Sequence, residues 1–139
     1  MISDLIKDID KHFKQFSDMK SLKNIDCNLD ELKKFVFFDK EKYKKNVVYR
    51  NSNYEIILIT WLPGQQTKLH AHPKNGCIMK VLEGELNENL YIPGKIIDNI
   101  YKKEDISYID NTIGKHIISN NSKNNTISLH IYSPPNYYK

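Results

Sequence analysis

The sequence predicts a mainly β chain, an antiparallel sandwich or barrel preceded by helices. Three observations carry this expectation. Up to about residue 45 apolar residues recur at three- and four-residue spacing, whereas from Val47 onward short β-branched and aromatic runs alternate with turn residues. The chain has 139 residues, enough for one real core and too few for two. Its 40% hydrophobic and 27% charged residues are ordinary globular composition, which excludes a disordered or fibrous chain.

Taken in order, Ser3 is placed to cap a first helix whose Leu5, Ile6, Ile9, Phe13 and Phe16 share one face. A second helix is predicted from about Leu29 to Phe38, with Leu32, Phe35 and the neighbouring aromatics as its apolar side. The polar run EKYKK then separates helices from strands. NVVYR, YEIILITW, TKLHAH, GCIMKVLEG, ELNENLYIP, KIIDNIYK, ISYID, KHIISN and TISLHIYS each read as a strand. Pro63-Gly64, Asn75-Gly76, Pro93-Gly94 and the Asn-rich stretch from Asn120 to Asn125 punctuate them. Eight or nine short strands at this spacing argue against βαβ units.

The formal net charge is +4, and of 21 basic residues only Arg50 is Arg. The lysines are spread among Asp and Glu rather than gathered into a stripe, so a solvated surface is expected and no nucleic-acid partner. Where Lys would serve this chain uses Lys, which marks Arg50 as a position needing a guanidinium. The longest apolar run, around Ile56 to Leu62, is far too short for a membrane span. The amphipathic start lacks the apolar region of a signal peptide. A soluble, cytoplasmic, monomeric protein without membrane association is expected. Two cysteines, Cys27 and Cys77, make neither a disulfide framework nor a zinc motif.

Four of the five histidines fall in the β region. His70 and His72, two apart on a predicted strand, would aim both rings at one face and form a bidentate metal edge. His116 could add a third nitrogen from a neighbouring strand. In the last strand Ser128, His130 and Tyr132 alternate with Leu129 and Ile131, so three polar groups share a face. His12, on a charged helix face, reads as solvated, and Cys27 as inert.

Gly64, five residues, His70, one residue, His72, four residues, Cys77, six residues and Gly84 together resemble the first cupin motif. Cys77 stands where that motif has a metal-binding Glu. His116 and Asn120 match the His–three residues–Asn ending of the second motif, whose Pro is absent. HAHPKNGC, IGKH, SLHIYSPP and an Arg just before the second strand resemble cysteine dioxygenase more narrowly, the thiol dioxygenase branch of the cupins. This resemblance implies a single domain, 1–139, in which residues 1–45 are helical and residues 46–139 form a cupin-type, jelly-roll-like antiparallel β-barrel.

Carried over by position, the resemblance makes His70, His72 and His116 the ligands of one Fe(2+) per chain. Arg50 would hold the substrate carboxylate, and Cys77 and Tyr132 would form a thioether cross-link. Ser128 and His130 would lie behind that Tyr, and Trp61 would match a Trp on the strand before the iron-binding loop. The Ser133–Pro134 bond would be cis. Animal-type members carry a Tyr where this chain has Val48. Three neutral histidines leave the metal its full charge, which a thiolate substrate can balance. The implied reaction takes L-cysteine and O2 to cysteine sulfinic acid. A dioxygenase of another small thiol, such as 3-mercaptopropionate, and a non-catalytic metal-binding cupin stay open.

Overall fold

In the computed structural model, which describes residues 2–12, 27 and 29–137, an N-terminal helix packs on the larger of two antiparallel sheets. Helix α1 spans Ile2–His12 and a 3-10 helix spans Leu29–Phe35. Eight strands follow: β1 Lys44–Arg50, β2 Glu55–Trp61, β3 Gly76–Glu83, β4 Glu85–Ile92, β5 Lys95–Lys102, β6 Ile106–Ile109, β7 Lys115–Ser119 and β8 Thr126–Ser133. They pair as a five-stranded sheet in the order β1-β2-β8-β3-β6 and a three-stranded sheet in the order β5-β4-β7. No described helix is long and apolar enough to cross a membrane.

The two faces of the larger sheet explain its sequence. Every residue of β2 and β8 is buried, because each strand packs on both sides. Ile56 and Leu58 of β2, with Ile127, Leu129 and Ile131 of β8, meet Leu5, Ile9 and Leu32 on the helical side. The alternate residues Ile57, Ile59 and Trp61, with Tyr132, turn into the space between the sheets and meet Leu86 and Ile118 of the smaller one. Leu5 and Ile9 close the sheet face as the first-helix periodicity predicts; truncating either to Ala would forfeit about 2–5 kcal/mol.

Several expectations change in detail. The helix starts at Ile2, so Ser3 lies in its first turn rather than capping it. Phe13 and Phe16 lie outside the described residues, as does the side chain of His12. The second helix is a short 3-10 segment and ends at Phe35. Beyond it the Phe37 carbonyl accepts from Thr60 Oγ1 and the Asp39 carbonyl from Gln65, which draws the chain straight toward β1 and leaves Phe37 exposed. That strand begins at Lys44, inside the run expected to be a spacer.

TKLHAH is not a strand. It runs along β7 as a loop, touching it through isolated bridges at Gln66–Ser119 and His70–His116. Backbone bonds from Gly64 to Asn120 and from Thr67 to Ile118 hold the loop there. The buried Asn120 side chain ties it further, donating to the carbonyls of Trp61 and Asn124.

Gly76 starts β3 at φ +96°, a conformation side chains rarely adopt. A Cβ there would lie 2.7 Å from the Ile109 carbonyl oxygen and 2.8 Å from the Tyr108 hydroxyl. Gly76→Ala is expected to cost more than about 2 kcal/mol, read as a lowered denaturant midpoint with an unchanged slope.

Candidate metal centre

Between the sheets lies a cavity of about 470 Å³. His70, His72 and His116 reach it from the β2–β3 loop and from β7. The His116 Nε2 sits 2.9 Å from the His72 Nε2 and 3.1 Å from the His70 Nε2. Nitrogens about 2.1 Å from one metal ion and at right angles would sit about 3.0 Å apart, so the spacing is that of a ligand set.

Their outward hydrogen bonds fix which nitrogens face inward. His70 Nδ1 donates to the Lys68 carbonyl at 2.8 Å, and His116 Nδ1 donates to Glu88 Oε2 at 2.7 Å. Each neutral ring then presents a lone pair at Nε2. Burial, with the neighbouring His116 adding to it, lowers the pKa of His72 to about 3; burial likewise lowers that of His70 to about 4. Two lone pairs aimed at each other across 3.1 Å repel unless a cation lies among them. This set fits a divalent metal, and among the described residues it is the one cluster of three such side chains.

The loop is held rigidly enough to place two of the rings. Asn111 clamps the His72 backbone from both sides, accepting from its N–H and donating to its carbonyl, each at 2.8 Å. His70 exchanges two backbone hydrogen bonds with His116. The HxH pair therefore converges through loop geometry rather than through strand alternation.

Glu88 was not singled out from the sequence. It is buried, and besides His116 it accepts from Asn99 at 3.0 Å and from Tyr101 at 2.8 Å. Burial alone would raise its pKa, but these donors outweigh burial and hold it below the usual carboxylate range. The signal was available: Leu86 and Glu88 alternate on the inner face of β4, where a charge demands partners.

On the opposite wall the β8 alternation holds. The Trp61 Nε1–H donates to Ser128 Oγ at 2.9 Å. The Ser128 hydroxyl lies 2.7 Å from His130 Nε2, and His130 Nδ1 lies 3.3 Å from the Tyr132 hydroxyl. Burial keeps the His130 ring neutral, so the ring donates one of these two contacts and accepts the other. Cys77 stands directly opposite Tyr132 in the β3–β8 register, and both line the cavity. Burial pushes the Cys77 thiol pKa far up. The Ser133–Pro134 peptide is cis.

Arg50 is not among the residues that line the cavity, though it stands opposite Glu55, which stands opposite Tyr132. It ends β1 half-exposed, with its Nε donating to Glu55 Oε2 at 2.7 Å, and the same oxygen accepts from the Asn136 amide. A register shift between Val47 and Tyr49 accompanies this, and Val48 packs on the helical side of the sheet. Tyr43, stacked on Trp61 at 4.9 Å, and Lys45 line the cavity instead.

Two antiparallel sheets enclosing a three-histidine centre define a metal-binding cupin. TT1209 from Thermus thermophilus superposes with a TM-score of 0.66 at 22% identity, covering 74% of this chain and 93% of that one. An RmlC-like cupin from Desulfovibrio desulfuricans superposes with a TM-score of 0.54 at 20% identity, covering 70% and 88%. The family model for cysteine dioxygenase type I matches residues 2–138, and the chain belongs to that family. Cysteine dioxygenase type 1 of Danio rerio is 27% identical over 150 residues, covering 96% of this chain and 75% of that protein. The human protein of the same name is 32% identical over 108 residues, covering 70% and 54%. The matches thus span between about half and three quarters of these relatives.

Proposed function

We propose that this chain is a ferrous-iron thiol dioxygenase that converts L-cysteine and O2 to cysteine sulfinic acid. The observation that carries the reading is the set of inward-facing Nε2 atoms on the floor of a cavity walled by Cys77, Tyr132 and His130. His70, His72 and His116 would hold the iron, whose chemistry is to bring a thiolate and O2 together on one centre. The reaction balances without another reductant: the thiol sulfur loses four electrons, O2 gains them, and both oxygen atoms end on sulfur.

The protein's own part is placement. Three uncharged ligands leave a net positive site, which favours the ionised thiol over the neutral one. Apolar lining from Ile59, Met79, Ile109 and Ile118 limits the water beside the reacting sulfur. The Trp61–Ser128–His130 chain holds the Tyr132 hydroxyl beside the Cys77 thiol. Oxygen uptake by iron-loaded protein, measured with cysteine, 3-mercaptopropionate and cysteamine and paired with sulfinate detection, tests the reading. Stoichiometric uptake with cysteine and one iron per chain are expected. Iron binding without uptake for any thiol would make the chain a non-catalytic metal-binding cupin.

The Cys77–Tyr132 placement supports the thioether cross-link as well. Forming a sulfur–carbon bond removes one hydrogen from each residue, with O2 as oxidant. A fraction of the protein should therefore be about two mass units lighter, and that fraction should grow with iron, oxygen and cysteine turnover. Cys77→Gly should remove the lighter species and leave reduced activity. Peptide maps after long turnover that hold only unmodified Cys77 and Tyr132 would reject the bond.

A further inference from the structure

The three ligating rings are not held alike. His70 leans on the Lys68 carbonyl through Nδ1, and His116 leans on Glu88 through the same atom. His72 is almost wholly buried, and its Nδ1 has no hydrogen-bond partner among the described residues. A metal-bound histidine is ordinarily held by an acceptor behind its ring, and His72 has none. What holds His72 is its backbone, gripped at both the N–H and the carbonyl by the Asn111 amide.

A pinned turn presents Asn111 to that backbone. Only Asp110–Gly114 separate β6 from β7. Asp110 knots the turn, because its Oδ1 accepts from the amides of Thr112 and Ile113 at 2.9 and 3.2 Å. Its Oδ2 accepts from the Tyr108 hydroxyl at 2.9 Å, which ties the turn back to β6. At the other end Gly114 passes so close to β4 that a Cβ would run into the Tyr91 carbonyl oxygen. Two residues later the chain reaches His116. The same short turn thus leads straight into one ligand and grips a second through Asn111. It thereby governs the 2.9 Å between His72 Nε2 and His116 Nε2.

We propose that Asn111 is the positioning residue for His72 and that its amide sets the metal affinity of the centre through that one ligand. The inference rests on the metal site of the dioxygenase reading, not on its substrate. A carboxamide accepts with its oxygen and donates with its nitrogen, whereas a carboxylate only accepts and an aliphatic chain does neither. Releasing the grip frees the His72 ring to swing, while His70 and His116 stay on their own acceptors. Asn111 itself is exposed, so its replacement opens no hole in the core.

A double-mutant cycle on zinc affinity, measured by chelator competition, tests the proposal, with Tm of the metal-free proteins as the control for folding. Zinc binds nitrogen ligand sets more tightly than ferrous iron, so variants with two histidines stay measurable. Asn111→Leu should weaken zinc binding about 10–100-fold in the parent and by less than about twofold in His72→Ala, with metal-free Tm little changed. Asn111→Asp keeps the acceptor and loses the donor, and in the same cycle it should fall between Leu and the parent. Equal losses in both backgrounds would show that Asn111 acts on the fold rather than through His72, and would overturn the proposal. Parent-like zinc affinity in both Asn111 variants would overturn it as well. A parent that binds zinc but oxidises no thiol would end the dioxygenase reading alone, since the cycle decides the Asn111 assignment without turnover. If the parent binds neither zinc nor iron, both fall.

Discussion

His116→Ala is expected to leave a folded protein that holds almost no ferrous iron and consumes no oxygen with cysteine. His116 is the hinge of the ligand set, because its Nε2 lies within 3.1 Å of both other Nε2 atoms. It also joins the two halves of the site, exchanging backbone bonds with His70 while its Nδ1 anchors on β4 through Glu88. The substitution deletes one of three donors and leaves Glu88 buried without its closest partner. His70→Ala and His72→Ala each delete one donor and leave Glu88 satisfied, so they should lose iron while keeping more of the parent's thermal stability. Iron content by metal analysis and Tm of chelator-treated protein separate the two effects. Full iron occupancy in His116→Ala would remove it from the ligand set.

How much of this was legible beforehand depended on whether a residue's job was local. The β8 pattern was readable because strand alternation alone sends Ser128, His130 and Tyr132 to one face, and burial on both sides leaves that alternation no freedom. His70 and His72 were found for a reason that does not hold. Their convergence comes from the Asn111 clamp and from the bridges to β7, contacts some forty residues away that no short-range pattern contains. Arg50 shows the converse. Its rarity is a true observation about composition, whereas its partner, a buried Glu55, and the register shift between Val47 and Tyr49 could not be read from the strand.

Glu88→Leu is expected to weaken ferrous iron binding by about 10–100-fold, the range found when the group behind a metal-bound histidine is lost. Glu88 sits diagonally across β4 from His116, opposite Ile118, so the Glu88 carboxylate meets the His116 ring from behind. Held ionised by Asn99, Tyr101 and His116, it can only accept, which forces the His116 hydrogen onto Nδ1 and leaves Nε2 basic for the metal. Leu removes both the tautomer lock and the negative charge, and strands the Asn99 and Tyr101 donors. Glu88→Gln separates these contributions. Its amide oxygen can still accept from His116 Nδ1, so orientation survives while the charge does not, and its affinity should fall between that of Leu and the parent. A purely structural role predicts something else: both variants would lose Tm and yet bind iron as tightly as the parent once folded. Competition for iron against a chelator of known affinity, repeated as the pH is lowered, reads the difference. The release of iron should move to higher pH in the order parent, Gln, Leu, because the weaker the hold on the metal, the less ligand protonation is needed to release it. Identical release curves for all three proteins would show that His116 needs nothing behind it.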